Sequence, residues 1–434
     1  MIDNTQKKVT TFGWFIWGLS ALFFFYEYLL QLAPSVMSME IRHDFALNAS
    51  QFGNLTFYYF IAYAVVQIPA GLLLDRIGPR YSLTLAAALC ALGTLQFSFA
   101  NYFTSVEVAR FITGSGSAFA MLGTLVLVAN WFPIKRFALL HGLTVTIGML
   151  GAVFGYAPMA KLTEVMEWRD SLLLLGVIGL VLTIAIWIFI RDHPNYKEHK
   201  RYNGITTKQV FSALGRIIVH RQSWITALYG VCMYAPTAAI AWWGPSYFKL
   251  RFDMETTTAA FIISLNFIGW TVGGPFFGWL SDYLGRRKTP LYISSIGALL
   301  AMLCILYLPV PSIVLLGFII FLFGFFTSGF VPSFSIVREL HPKAVSGTAL
   351  GFMNMINNFG GAIAPPMVGI ILDIYWGNTL VDGMRVYSTH DYTIALTILP
   401  VILLFSLIIL PFIKETHCQT TETNEMHMSI TNSV

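Results

Sequence analysis

Charge is what this sequence has least of. Acidic and basic residues together occupy 11% of its 434 positions, against about 25% in a water-soluble domain. So few charges cannot cover the surface of a soluble chain of this length. Cysteine is sparse as well. Cys90, Cys232, Cys304 and Cys418 lie far apart in sequence, so packing is their expected role and they report nothing about redox compartment. The chain also lacks a phosphate-binding loop, metal-ligand spacing and a nucleophile elbow. Gly114-Ser115-Gly116 sits inside an apolar run with no strand before it, so it reads as close helix packing rather than a nucleotide loop. Neither an enzyme, a cofactor, a metal nor ATP-driven chemistry finds support.

Long apolar runs take the place of charge. Hydrophobic residues make up 56% of the chain, and runs such as LLLLGVIGLVLTIAIWIFI at 172–190 match the roughly 20 residues that span a bilayer core. Twelve such spans are expected: 12–35, 50–74, 81–100, 104–130, 138–161, 168–190, 224–248, 257–280, 289–308, 312–336, 347–373 and 391–413. Helices satisfy their own backbone groups in lipid, and the short alternating segments of a β-barrel are missing. The first run contains Glu27 and no small-residue cleavage pattern, so it reads as a span rather than a signal peptide.

Orientation follows from where the cations lie. With the N-terminus in the cytoplasm, 19 Lys and Arg fall on the inner side and 6 on the outer side, with Arg110 inside a span. The net charge of +5 is therefore read as topology and not as nucleic-acid binding. Residues 191–222 form the longest interior polar stretch and separate two sets of six helices. They read as a cytoplasmic linker with a short amphipathic helix near 210–219. The polar tail 415–434 is expected to be disordered and cytoplasmic.

The halves repeat each other. Gly71, Asp75, Gly78 and Arg80 recur as Gly278, Asp282, Gly285 and Arg287 at one offset of 207 residues. Pro133, Gly142 and Gly151 recur as Pro342, Gly351 and Gly360 at an offset of 209. The expected fold is an all-α membrane protein of two duplicated six-helix bundles, 1–190 and 223–414.

GLLLDRIGPR and GWLSDYLGRR resemble the cytoplasmic signature loop of the major facilitator superfamily. Arg110 with Gly114 and Gly116, and the Gly-rich stretch ending at Pro158, are similar to its fourth- and fifth-helix patterns. FFFYEYLLQLAPSVM at 23–37 resembles, more narrowly, bacterial phagosomal-transporter-type nutrient carriers and the lysosomal dipeptide carriers of that superfamily. The resemblance implies alternating access around a site between the halves, in a monomer of the bacterial inner membrane. It also implies a gate in which Asp75 meets Arg76, Arg80 or Arg136 and the start of the eleventh helix near Ser346-Gly347. Asp282 with Arg286 and Arg287 would act more weakly.

Glu27 is the most informative side chain. A carboxylate near mid-membrane costs about 2.5–3.5 kcal/mol on insertion scales, so a partner, a proton or a wet cavity must compensate. It is the candidate proton-coupling residue, and a static ion pair between helices is the alternative. Arg110 is its expected partner, because the two depths differ by only about 3 Å. A guanidinium also takes a carboxylate bidentately. Further candidate solute-binding residues share helical faces: Gln31 with Glu27; Tyr59, Tyr63 and Gln67; Asn266 and Trp270; Asn354, Asn357 and Asn358; and Tyr229 and Tyr234. A helix–helix hydrogen bond is the competing role for each. Trp242-Trp243 is expected in the interfacial belt. The expected function is proton-coupled uptake of an amino acid or short peptide. Drug or siderophore efflux and organic-anion exchange are the rival transport readings. A non-transporting receptor or scaffold is the rival from another class.

Overall fold

The computed structural model describes residues 11–133, 136–192, 207–309, 312–342, 345–381 and 384–419. Among them are twelve helical spans long and apolar enough to cross a membrane. In chain order these are α1 (Thr11–Val36), α2 (Ala49–Leu74), α3 (Pro79–Ser98), α4 (Phe103–Trp131), α5 (Leu139–Val165), α6 (Trp168–Phe189), α7 (Arg221–Phe252), α8 (Thr256–Leu284), α9 (Lys288–Tyr307), α10 (Ile313–Glu339), α11 (Gly347–Ile374) and α12 (Thr389–Phe412). Their outer faces are apolar: Val181, Ile184 and Ile188 of α6 are all exposed. That inverts the rule for proteins in water and suits a lipid solvent.

The chain divides into two compact units. The first is Met1–Gly204 with Met254–Phe261 and Leu380–Met384. The second is Ile205–Asp253, Ile262–Thr379 and Arg385–Val434. In the first unit α4 is interrupted at Ala118 and Phe119, directly after the Gly114-x-Gly116 pair. In the second unit the expected amphipathic helix exists, at Thr207–Val219. It buries Ile217, and with it Leu214, against Phe352 and Met353 of α11. Residues 193–206 of the linker lie outside the described residues.

Three expectations are corrected here. α7 runs 32 residues, well beyond 224–248. Its last turn is held by Arg251, which donates to the carbonyls of Ile305 and Leu308 at 3.0 and 3.1 Å. Those are the unsatisfied carbonyls at the end of α9, where a cation is favoured. Within α7, Trp242 and Trp243 are buried rather than exposed on an outer face as an aromatic belt would be, and Trp243 Nε1 donates to the Pro365 carbonyl at 2.9 Å. The tail is ordered at least through its first residues: Glu415 accepts the backbone N–H groups of Arg287 and Lys288 at 2.8 and 2.9 Å. The start of α9 needs an acceptor for its orphan N–H groups, and Glu415 supplies one. Residues 420–434 lie outside the described residues.

Candidate functional site

The first unit concentrates its buried charge where α1, α2 and α4 meet. Asn48 starts α2 with a reciprocal cap: its side chain accepts from Gln51 N at 2.9 Å and its N–H donates to Gln51 Oε1 at 3.0 Å. About three turns on, Tyr59 packs its backbone against Gly114 of α4 so closely that a Cβ there would overlap the Tyr59 carbonyl. That approach carries Arg110, one turn before Gly114, over the Tyr59 ring at 4.5 Å. The Tyr59 hydroxyl donates to Glu27 Oε1 at 2.5 Å. Glu27 and Arg110 are each 2% exposed, and Tyr59 is fully buried.

Arg110 is held by carbonyls. Nε donates to Leu55 at 3.2 Å, Nη1 to Leu30 at 3.0 Å and Nη2 to Gln31 at 3.2 Å. The Leu30 carbonyl is available for a covalent reason. Its ordinary helical donor would be the N–H of residue 34, and residue 34 is proline. Hydrogen bonds to a charged group contribute about 1.5–3 kcal/mol each, and a desolvated cation–π contact about 2 kcal/mol. Together they keep a charged guanidinium inside a membrane span.

The expected direct pair of Glu27 with Arg110 is thus replaced by an indirect one. Tyr59 stands between them, its hydroxyl on the carboxylate and its ring under the guanidinium. Gln31 joins the site through its main-chain carbonyl. Tyr63 is half-buried, and Gln67 is buried with no hydrogen-bond partner for Oε1 among the described residues.

The second unit disperses the remaining candidates. Tyr229 is engaged between helices: its hydroxyl donates to the Leu291 carbonyl of α9 at 3.2 Å and contacts Ser295 at 3.1 Å. That is a helix–helix bond, the role any buried tyrosine hydroxyl seeks. Asn358 also turns to structure, donating to the carbonyl of Asn354 one turn earlier at 2.8 Å. Tyr234 and Trp270 meet edge-on at 6.1 Å, and Trp270 Nε1 donates to Thr327 at 2.9 Å. Asn266 and Asn357 are buried, and neither amide has a hydrogen-bond partner among the described residues.

The two signature loops share a turn and differ in chemistry. Gly78 and Gly285 both sit at positive φ, 88° and 59°, which explains why the repeat keeps glycine there. Gly71 and Gly278 each face open space. In the first loop Arg80 donates from Nη2 to the Trp187 carbonyl at 3.0 Å and stacks on its ring at 4.5 Å. Its backbone N–H goes to Asp192 at 3.1 Å. Arg136 stacks on Trp14 at 5.9 Å, and Arg76 is exposed. The side chains of Asp75 and Ser346, on which the expected gate depends, lie outside the described residues.

In the second loop Arg287 pairs with Asp282 at 2.7 Å and with Glu339 at 2.6 Å, while Arg286 contributes a carbonyl to Ser281. Burial alone would weaken the Arg287 charge. The hydrogen bonds of Glu339 and Asp282 outweigh it and raise the guanidinium pKa above its usual value. Thr416 donates to Glu339 at 2.5 Å. Sequence reasoning missed Asp192, Glu339 and Glu415. A signal existed for two of them: Asp192 and Glu415 each lie three residues past the last span of their unit.

The chain as a whole is similar to known proteins. The Major Facilitator Superfamily model matches residues 7–365. An uncharacterized transporter, YybO, of Bacillus subtilis is 26% identical over 415 residues, covering 87% of this chain and 92% of the relative. A probable sulfoacetate transporter of Cupriavidus necator is 23% identical, covering 82% of this chain and 87% of its own. A probable galactarate/D-glucarate transporter of Escherichia coli is 25% identical, covering 85% and 89%. The solved structure of a bacterial homolog to the human lysosomal transporter Spinster superposes with a TM-score of 0.73 at 13% identity, covering 93% of this chain and 97% of that one. A duplicated signature loop with glycine at positive φ, twelve membrane-length helices and a family match over most of the sequence lead to one conclusion: this chain belongs to the Major Facilitator Superfamily and is a multi-pass membrane transporter.

Proposed function

We propose that the chain is a proton-coupled secondary transporter for a small organic acid, with Glu27, Tyr59 and Arg110 as its coupling centre and both termini in the cytoplasm. The observation that carries this reading is the buried carboxylate and the buried guanidinium joined through one tyrosine inside the membrane span. An ionised Glu27 draws the Tyr59 hydroxyl and keeps the ring under Arg110. A protonated Glu27 loses that charge-assisted bond, and Arg110 can exchange its carbonyl partners for the two oxygens of a solute carboxylate.

The relatives favour an organic acid over the amino acid or peptide expected from sequence. By their names, two of them carry sulfoacetate and galactarate or D-glucarate. Such anions need a cation in the site and no second carboxylate to receive an ammonium. The Glu27 carboxyl is already taken by Tyr59.

Uptake of labelled organic acids into proteoliposomes tests the reading. Wild type should accumulate its solute only when a pH gradient is imposed. Glu27→Gln should still exchange solute across the membrane but lose accumulation and pH dependence. Arg110→Ala should lose binding, and Arg110→Lys should recover it only in part, because the two-pronged donor is gone. Accumulation by Glu27→Gln under the same gradient would sink the coupling role.

A further inference from the structure

The duplication allows the two units to be matched position by position. In the first, Gly114 of α4 packs on the main chain of Tyr59 in α2; in the second, Gly324 of α10 packs on the main chain of Asn266 in α8. In each case an added Cβ would strike the O, C and Cα atoms of the facing residue. Tyr59 and Asn266 are separated by 207 residues, the offset of the signature loops, and the two glycines by 210. Asn266 is therefore the structural counterpart of Tyr59. The glycine offset places Ile320 opposite Arg110, and an offset of 206 or 207 places Met233 or Tyr234, both uncharged, opposite Glu27.

Asn266 thus occupies the Tyr59 position without the carboxylate and the guanidinium that engage Tyr59. It is 0% exposed, and among the described residues neither Oδ1 nor Nδ2 has a hydrogen-bond partner. The hydroxyls around it behave otherwise. Thr271 and Thr327 both bond carbonyls one turn back. A buried amide with neither group satisfied is costly, so its place in the span calls for a reason beyond the bonds within the fold. Asn357 of α11, 3% exposed, repeats the pattern with both amide atoms partnerless.

An amide offers one acceptor and one donor group side by side and no charge. A hydroxyl, which donates and accepts, can engage both sides at once, whereas a bare carboxylate would use only Nδ2 and an ammonium only Oδ1. We infer that Asn266 is a specificity-determining residue of the second unit that hydrogen-bonds an uncharged hydroxyl of the solute. The inference rests on the organic-acid reading above and narrows the solute to a hydroxylated acid.

Thermal unfolding of the purified full-length protein tests it, with D-galactonate, D-glucarate and D-glucuronate as hydroxylated probes and hexanoate as the unhydroxylated control. At least one hydroxylated acid should raise the wild-type midpoint, and hexanoate at equal concentration should not. Asn266→Leu, with the same number and branching of side-chain heavy atoms, should raise the ligand-free midpoint by removing the unsatisfied amide and should weaken the response to the hydroxylated acid tenfold or more. Asn266→Ala should also lose the response, whatever its own midpoint. The inference is overturned if Asn266→Leu lowers the ligand-free midpoint or fails to fold, if either variant keeps the wild-type preference, or if no hydroxylated acid stabilises wild type. Proton-driven accumulation of an unhydroxylated acid, lost in Glu27→Gln, would leave the proposed function standing and remove only this inference.

Discussion

The two units keep the same backbone devices and place their charge differently. In the first, a carboxylate and a guanidinium are buried inside the spans, and the signature-loop arginine, Arg80, rests on a carbonyl and an aromatic ring. In the second, the matched interior positions include Asn266 and Ile320, and the charge is gathered at the loop, where Arg287 lies between Asp282 and Glu339. What persists through the duplication is what the backbone demands: a glycine at positive φ in each loop and a glycine at each close helix crossing. The chemistry carried on those backbones is free to diverge. One unit has become the ionic half and the other the neutral, polar half.

Removing one partner from each loop gives the largest contrast. Glu339→Ala leaves Arg287 buried beside a single exposed carboxylate, and breaking a buried pair this way costs about 3–5 kcal/mol. Arg80→Ala removes bonds at an exposed site and should cost about 1 kcal/mol. Thermal melts of the two variants in one detergent compare them directly. Equal losses would mean the loops are equivalent after all.

The crossings should behave alike. Gly114→Ala and Gly324→Ala each force a methyl into the main chain of the facing helix, and overpacking of this kind costs about 1–3 kcal/mol. The two variants should lose similar stability but differ in transport. Gly114→Ala also displaces the Tyr59–Arg110 contact, whereas Gly324→Ala moves only Asn266. A stability loss confined to one variant would break the structural match on which the assignment of Asn266 rests.

The smallest effect concerns pH and belongs to the second unit. His341 is bonded to Ser223 at 2.8 Å, and its ring meets that of His220 at 4.9 Å. Burial, and then the neighbouring His220 charge, lower its pKa from 6.5. The unfolded chain therefore binds the proton more readily than the folded one. The stability from a neutral His341 is complete above 6.5 and is lost as pH falls from there through the lowered folded value. Unfolding midpoints measured from pH 8 down to pH 5 should fall for wild type and fall less for His341→Asn. An identical slope in both would remove His341 as the cause.

Twelve spans, the duplication and the family were legible in the sequence, because each depends on local composition or on a repeat. A span needs some twenty apolar residues, and the turn of each signature loop keeps a glycine at positive φ. Glu27 and Arg110 stood out for a similar reason, since a charge inside an apolar run is visible without coordinates. Their partners were not visible. Whether a tyrosine or an arginine reaches Glu27 depends on a helix crossing set by Gly114, and what holds Arg110 depends on a carbonyl released by Pro34 on another helix. Tyr229 and Asn266 looked alike in sequence as polar residues on helical faces. The fold gave Tyr229 three oxygen contacts on α9 and left the Asn266 amide unsatisfied. Composition determined which segments enter the membrane and how the halves correspond. Only packing decided which buried polar groups find partners within the protein and which do not, because that depends on distances between helices far apart in the chain.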